Sequence, residues 1–195
     1  NGLMEKIGVK ESSRRKEIIR ILDKKEKISK AEMKEELSRK PDNKYDEIAP
    51  NLSEKEINII FDFIEIKEGK AKTLDKAQKV IGGTKIGGEG IDELREIMEN
   101  LNALDVDGTN WAIDLSIARG LDYYTKTAFE VKYEDLGAQD TIFGGGRYDK
   151  LAEEIGNKDV PGIGFALGIE RLLLTLEKQE IEIPVDKSID IYLTT

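Results

Sequence analysis

The hydrophobic period of the chain changes at Trp111. Before that point apolar residues return every three or four positions, the repeat that gathers one face of a helix. Ile18, Ile19, Ile21 and Leu22 form such a face among Arg14, Arg15, Lys16, Lys24 and Lys25, with Ser12 or Ser13 expected as the N-cap. Ser29 with Glu32, and Ser53 with Glu56, have capping-box spacing. The first pair precedes Met33 and Leu37, and the second precedes Ile57, Ile60, Phe61 and Ile64. Leu94, Ile97, Met98 and Leu101 predict a further helix over about 91–104, and residues 1–7 have the pattern of mid-helix.

After that point the repeat is two. Trp111, Ile113, Leu115 and Ile117 alternate with Ala112, Asp114, Ser116 and Ala118, which predicts a strand. Thr127, Phe129 and Val131 predict a second strand, residues 141–143 a third, and residues 162–166 a buried one. Residues 149–155 read as a short helix and residues 169–178 as a strongly amphipathic one, and residues 189–193 start another strand beyond the breaker Pro184. Strands beside helices without regular βαβ alternation predict an α+β fold, a mostly antiparallel sheet with flanking helices preceded by a small helical module. Both ends of the chain read as cut from something longer.

Composition narrows the chemistry. The 195 residues include no Cys and no His, which removes disulfides, thiol nucleophiles, imidazole bases and His-ligated metals. Any reaction must run on Arg, Lys, carboxylates, Tyr and backbone dipoles. A net charge of −9 excludes a uniformly basic nucleic-acid coat, although residues 1–40 hold 13 basic against 8 acidic side chains. No apolar run approaches the roughly 20 residues of a membrane span, and no signal-peptide pattern opens the chain. The expected compartment is the cytoplasm.

Three motifs concentrate functional groups. Arg119-Gly120-Leu121-Asp122-Tyr123-Tyr124-Thr125 places an arginine, a glycine and two adjacent phenols at a strand end. By residue type alone this fits either a small-ligand site or a turn with an ordinary Arg119–Asp122 ion pair; in an extended run the two tyrosines would face opposite ways. Gly144-Gly145-Gly146-Arg147-Tyr148-Asp149 reads as a glycine turn between strand and helix, free to adopt positive φ and admit a substrate, or as a flexible connection. Gly162-Ile163-Gly164-Phe165-Ala166-Leu167-Gly168 lacks the spacing and position of a dinucleotide fingerprint. The Gly168-Ile169-Glu170-Arg171 segment opens a helix where Arg171 could meet a phosphate, or where Glu170 and Arg171 are simply solvated charges. Gly82-Gly83-Thr84-Lys85 and Gly87-Gly88-Glu89-Gly90 read as a loop rather than a phosphate cradle.

In this order, over about 60 residues, the three motifs resemble the histidyl-tRNA synthetases, a family of class II aminoacyl-tRNA synthetases. Residues 119–125 resemble the first histidine-specific signature, residues 144–149 the second and residues 162–174 class II motif 3. The resemblance implies a class II antiparallel sheet and three regions: a helical insertion domain over 1–110, the C-terminal part of the catalytic domain over 111–184, and the start of an anticodon-binding domain over 185–195. It implies that L-histidine and ATP, with Mg2+, give histidyl-adenylate, and that tRNA(His) receives the histidine. Arg119 would be the catalytic charge at the α-phosphate and histidine carboxylate. Tyr123, Tyr124, Gly145 and Tyr148 would join Arg119 around the amino acid, and Gly168 and Arg171 would hold ATP, with no resident metal.

Class II motifs 1 and 2, which carry the homodimer interface and a further arginine, are not found in this sequence. The expectation is that they precede Asn1 in a longer protein and that this portion alone is inactive. The basic early helices fit contact with the tRNA backbone, as in the family's insertion domain, and equally a solvated charged face. The alternative assignment is a non-catalytic relative such as the synthetase-like regulatory subunit of ATP phosphoribosyltransferase. Such relatives tend to lose the histidine-specific signatures, both of which are present here.

Overall fold

Two local capping boxes set the register of the helical part. Ser29 and Ser53 each accept from the backbone N–H three residues ahead while Glu32 and Glu56 reach back to the serine N–H. These exchanges satisfy donors that a helix start would otherwise leave unpaired. They open α3 (Lys30–Ser38) and α4 (Glu54–Ile64) in a computed structural model that describes residues 1–118, 123–137, 140–156 and 158–184. Ahead of them stand α1 (Gly2–Lys6) and α2 (Ser12–Asp23). Glu11 occupies the N-cap position of α2, so Ser12 and Ser13 lie inside the helix instead of capping it.

By density of contacts the chain divides into two units, Asn1–Phe129 with Gly146–Gly164, and Glu130–Gly145 with Phe165–Thr195. The first unit holds a core from residue 3 to residue 91, in which Ile18, Leu37, Ile60, Leu74 and Ile91 are buried together. Leu74 belongs to α5 (Lys70–Ile81), a helix the sequence reading did not delineate; its buried stripe is Thr73, Leu74, Ala77 and Ile81.

The glycine stretch after α5 is loop only in its first half: Gly82, Gly83 and Thr84 form a turn, and the second half is helix. α6 (Lys85–Ala103) runs straight through Gly87, Gly88 and Gly90. Oγ1 of Thr84 accepts from the Gly87 N–H at 3.1 Å, and a Glu5 carboxylate oxygen accepts from the Ile86 N–H at 3.1 Å. A Cβ on Gly2 would lie 2.4 Å from Cα of Gly87, so the two backbones touch where α1 meets α6. Glycine is required there by proximity, and the cap and packing outweigh its poor helix propensity.

Residues 111–118 are not a strand. Ile113 and Leu115 pack against the helical core, but so does Ala118, and Ser116 of the same alternate set is buried, so the segment has no inward and outward face. No strand among the described residues pairs with it, and a ladder needs a partner backbone. Instead Nζ of Lys70 sits 3.7 Å from the Trp111 ring centroid, Lys25 bonds Ser116, and the Asp114 carboxylate accepts from the Ser116 N–H at 2.8 Å, folding the chain into a turn.

The sheet has three strands in the order β1 (Ala128–Lys132), β2 (Thr141–Arg147), β3 (Ile163–Leu167). Both pairings are antiparallel. In the first unit Thr125 N–H donates to Arg147 O and Arg147 N–H to Thr127 O, each at 2.9 Å, and Tyr148 N–H donates to Gly162 O at 2.8 Å. In the second unit Tyr133 N–H donates to Asp140 O at 2.9 Å and Gly168 N–H to Ile142 O at 3.1 Å. β2 is longer than the sequence suggests because it continues through Gly144, Gly145 and Gly146, none of which has positive φ. A short α7 (Leu151–Gly156) follows it.

In the second unit α8 (Ile169–Lys178) packs on the 3-10 turn Glu134–Leu136 and is found with the predicted bounds. β3 was expected to be buried, yet Ile163, Phe165 and Leu167 are all exposed. Ile169, Leu173 and Leu174 of α8 are exposed as well. The expected strand over 189–193 lies outside the described residues. No helix among the described residues is long and apolar enough to cross a membrane.

Candidate functional site

Two groups of the expected site residues form local assemblies, one in each unit. In the first unit Tyr123 and Tyr124 do not face opposite ways. Tyr123 lies in a turn, where the alternation of an extended chain does not apply, and the two ring centroids are 4.6 Å apart at an interplanar angle of 49°. Tyr148 approaches Tyr123 edge to face, with centroids 5.9 Å apart at 90°. These are favourable aromatic geometries, and the three phenols form one aromatic cluster.

Glycines support the cluster from behind. A Cβ at Gly162 would lie 2.5 Å from Cε2 of Tyr148, and one at Gly164 would lie 2.5 Å from its hydroxyl oxygen. A Cβ at Gly146 would come within 2.8 Å of the Tyr124 ring. The glycine shelf for Tyr148 is thus Gly162 and Gly164. The signal was present: two glycines at i and i+2, one just before β3 and one inside it, clear one face of an extended run for a ring.

The backbone between these rings is cross-tied. Nε of Arg147 donates to Oδ1 of Asp149 at 2.5 Å, and the Asp149 N–H donates to Oγ1 of Thr125 at 3.1 Å. Asp149 foremost, and Glu93 of α6 after it, hold the Arg147 guanidinium above its ordinary pKa. Glu93 also pairs with Lys126 at 3.6 Å. A cavity of about 430 Å³ in this unit is lined by Tyr124, Lys126 and Ser116 together with Lys10, Arg15 and Lys16.

The second unit holds Gly145, Gly168 and Arg171. Gly145 is buried within β2. Gly168 caps α8, and a Cβ there would meet Cδ of Arg171 at 3.4 Å and the Ile142 carbonyl oxygen at 3.5 Å. Arg171, third residue of α8, donates from Nη1 to the Thr141 carbonyl at 3.0 Å. Its stem therefore lies along the strand-helix junction. Arg119 lies outside the described residues, with Gly120, Leu121 and Asp122. Among the described residues no group of three or more Asp or Glu is placed to hold a metal ion.

Helices joined to an antiparallel sheet whose last strand turns directly into a helix form the class II synthetase-like architecture. The solved histidyl-tRNA synthetase from Nostoc sp. PCC 7120 superposes with a TM-score of 0.77 at 30% identity, over 93% of this chain and 40% of that one. A family model described as histidyl-tRNA synthetase matches residues 4–172, and the chain belongs to that family.

Among curated relatives, the histidine–tRNA ligase of Halothermothrix orenii is 63% identical over 92 residues, which is 47% of this chain and 22% of the relative. That of Thermoanaerobacter sp. (strain X514) is 58% identical over 90 residues, 46% of this chain and 22% of the relative. The matched segments thus cover about a fifth of the length of these curated relatives. An ATP phosphoribosyltransferase regulatory subunit/histidyl-tRNA synthetase from Bacillus halodurans C superposes at a TM-score of 0.68 with 22% identity, over 90% of this chain and 41% of that one, and shares the fold.

Proposed function

We propose that this chain is part of a histidine–tRNA ligase, comprising a helical insertion domain over 1–110, the C-terminal part of the catalytic domain over 111–184 and the start of an anticodon-binding domain over 185–195. The observation that carries this reading is the wall of Tyr123, Tyr124 and Tyr148 on its glycine shelf, whose first member follows Arg119 by four residues in the chain. A wall of phenol rings suits a small, flat, polar ring such as imidazole better than an aliphatic side chain.

In the reaction a histidine carboxylate oxygen attacks the α-phosphorus of ATP, the bond to the bridging oxygen breaks, and pyrophosphate leaves. Arg119 neutralises charge at the α-phosphate and the carboxylate. Tyr123, Tyr124, Gly145 and Tyr148 shape the amino-acid pocket. Gly168 leaves room for the nucleotide, and Arg171 meets its terminal phosphate at the start of α8. Mg2+ enters with ATP as part of the substrate. Such a step needs positioning and charge stabilisation and no side-chain nucleophile, in keeping with a chain that has neither Cys nor His. The adenylate then passes its histidine to the 3′ end of tRNA(His). Lys10, Arg15, Lys16 and Lys126 around the cavity that reaches Tyr124 support contact with a phosphate backbone there.

The whole protein is a cytoplasmic homodimer, with the dimer-forming and second arginine-bearing motifs in chain beyond these residues. Both histidine-specific signatures support a ligase over a regulatory paralogue. Pyrophosphate–ATP exchange tests the reading: the whole protein is expected to exchange with histidine and not with other amino acids, and this chain alone is expected to show negligible exchange. Equal exchange with several amino acids, or none with histidine, overturns the assignment. Robust exchange by this chain alone overturns the need for the further motifs.

A further inference from the structure

Tyr148 sits between two residues that hold each other. Arg147 closes β2, Asp149 follows the tyrosine, and their side chains meet through Nε and Oδ1 at 2.5 Å. The same Asp149 gives its backbone N–H to the hydroxyl of Thr125 at 3.1 Å, and Thr125 gives its own N–H to the Arg147 carbonyl at 2.9 Å. Thr125 directly follows Tyr124. One closed circuit of three hydrogen bonds therefore joins the residue after Tyr124 to the residues on both sides of Tyr148.

The circuit is more than an exposed ion pair. The Asp149 side chain is largely covered while that of Arg147 is partly exposed, the bond between them is charge-assisted, Arg147 is anchored in the strand ladder by its N–H to Thr127 O bond, and Asp149 is held by its N–H to Thr125. Glu93 pairs with Lys126, the next residue after Thr125, so α6 of the helical part adds a further tie on the same side.

The geometry points to Thr125, Arg147 and Asp149 as positioning residues of the amino-acid site, a clasp that fixes the spacing of Tyr124 and Tyr148. This inference rests on the function proposed above. The three residues act through the tyrosines: loosening the clasp changes where two rings stand, and a site whose supporting contacts are lost by even 1 Å loses much of its fit. The effect is directed at the amino acid. Gly168 and Arg171, the residues assigned to ATP, are not members of the clasp.

The test uses the whole protein and steady-state pyrophosphate exchange, with histidine and ATP varied separately and thermal melting recorded for each variant. Asp149→Asn keeps the backbone N–H and removes the charge. It is expected to raise the KM for histidine about tenfold while the KM for ATP stays within about twofold and melting is little changed. Thr125→Val, which keeps the shape and removes only the hydroxyl acceptor, is expected to move the same parameter in the same direction.

Arg147→Ala combined with Asp149→Ala should raise the KM for histidine no further than the worse single variant, because the one bond is lost only once. An unchanged KM for histidine in Asp149→Asn overturns the clasp, as does a parallel rise in both KM values with a fall in melting temperature. If Asp149→Asn does not fold, Thr125→Val decides on the same criteria. Failure of the unaltered protein to exchange with histidine overturns both the ligase reading and the clasp. Normal exchange by the unaltered protein with unaffected variants overturns the clasp alone.

Discussion

Ile60 of α4 is 0% exposed and Phe165 of β3 is 66% exposed, although each stands in an apolar run of similar character. In α4 the stripe of Ile57, Ile60 and Phe61 meets Met33, Leu37 and Leu74 from neighbouring helices. In β3 and α8 the apolar side chains of Ile163, Phe165, Leu167, Ile169, Leu173 and Leu174 face outward. The difference teaches that an apolar pattern marks the face that needs cover and does not tell what covers it. Each large side chain enclosed in the helical core contributes about 1.5–3 kcal/mol, so the stability of this chain rests there, while the candidate site lies among the strands and the segments that lead into them.

The largest expected effect is on the core. Ile60→Ala should destabilise the chain by about 2–5 kcal/mol in urea denaturation, and a loss below about 1 kcal/mol would break the contrast between the two regions. Next comes a change at the site that leaves stability alone. Arg119→Ala in the whole protein should slow single-turnover adenylate formation on the order of 100-fold with melting unaltered, and an unchanged rate removes the role assigned to it.

A smaller effect separates local from long-range order. Ser53→Ala should cost about 1 kcal/mol by opening the capping box of α4. Ser53 holds the Glu56 carboxyl below its ordinary value through hydrogen bonds that outweigh the opposing effect of burial. A carboxyl with a depressed folded pKa stabilises fully above its ordinary 4.5 and loses that contribution as pH falls through the lowered value. Melting followed downward through the carboxylate range should therefore decline less steeply for Ser53→Ala than for the unaltered chain. Smallest of all, Ile163→Thr keeps a β-branched residue at an exposed strand position and should stay within about 0.5 kcal/mol. A cost near that of Ile60→Ala would show that β3 is covered after all.

What was legible in the residues follows the range of the interactions. The capping boxes at Ser29 and Ser53 and the bounds of α8 depend on partners a few positions away, and both were recovered. Gly87 was misplaced because its neighbour Gly2 lies 85 positions earlier, so local propensity argued for a loop where close packing made a helix. The alternation from Trp111 to Ala118 does not mark one inward face, because Ser116 and Ala118 are turned to the protein as well as Ile113 and Leu115, and alternation cannot supply a pairing strand. At the site the tyrosines were identified by type. Their approach comes from the turn at Tyr123, and the Gly162–Gly164 spacing clears a face of the chain without naming Tyr148 as the ring that occupies it.

The amino-acid order by itself determined the α+β class, the helix starts, the family and the chemical vocabulary of a site without thiol or imidazole. Those properties are written in residue type and short spacing, which the chain carries whether folded or not. Only the tertiary structure decided that three phenols share one wall, that Arg147 and Asp149 close a circuit through Thr125, and that the apolar face of β3 lies open. Each of these depends on the distance between atoms far apart in the chain, a quantity that exists only once the backbone has chosen its path.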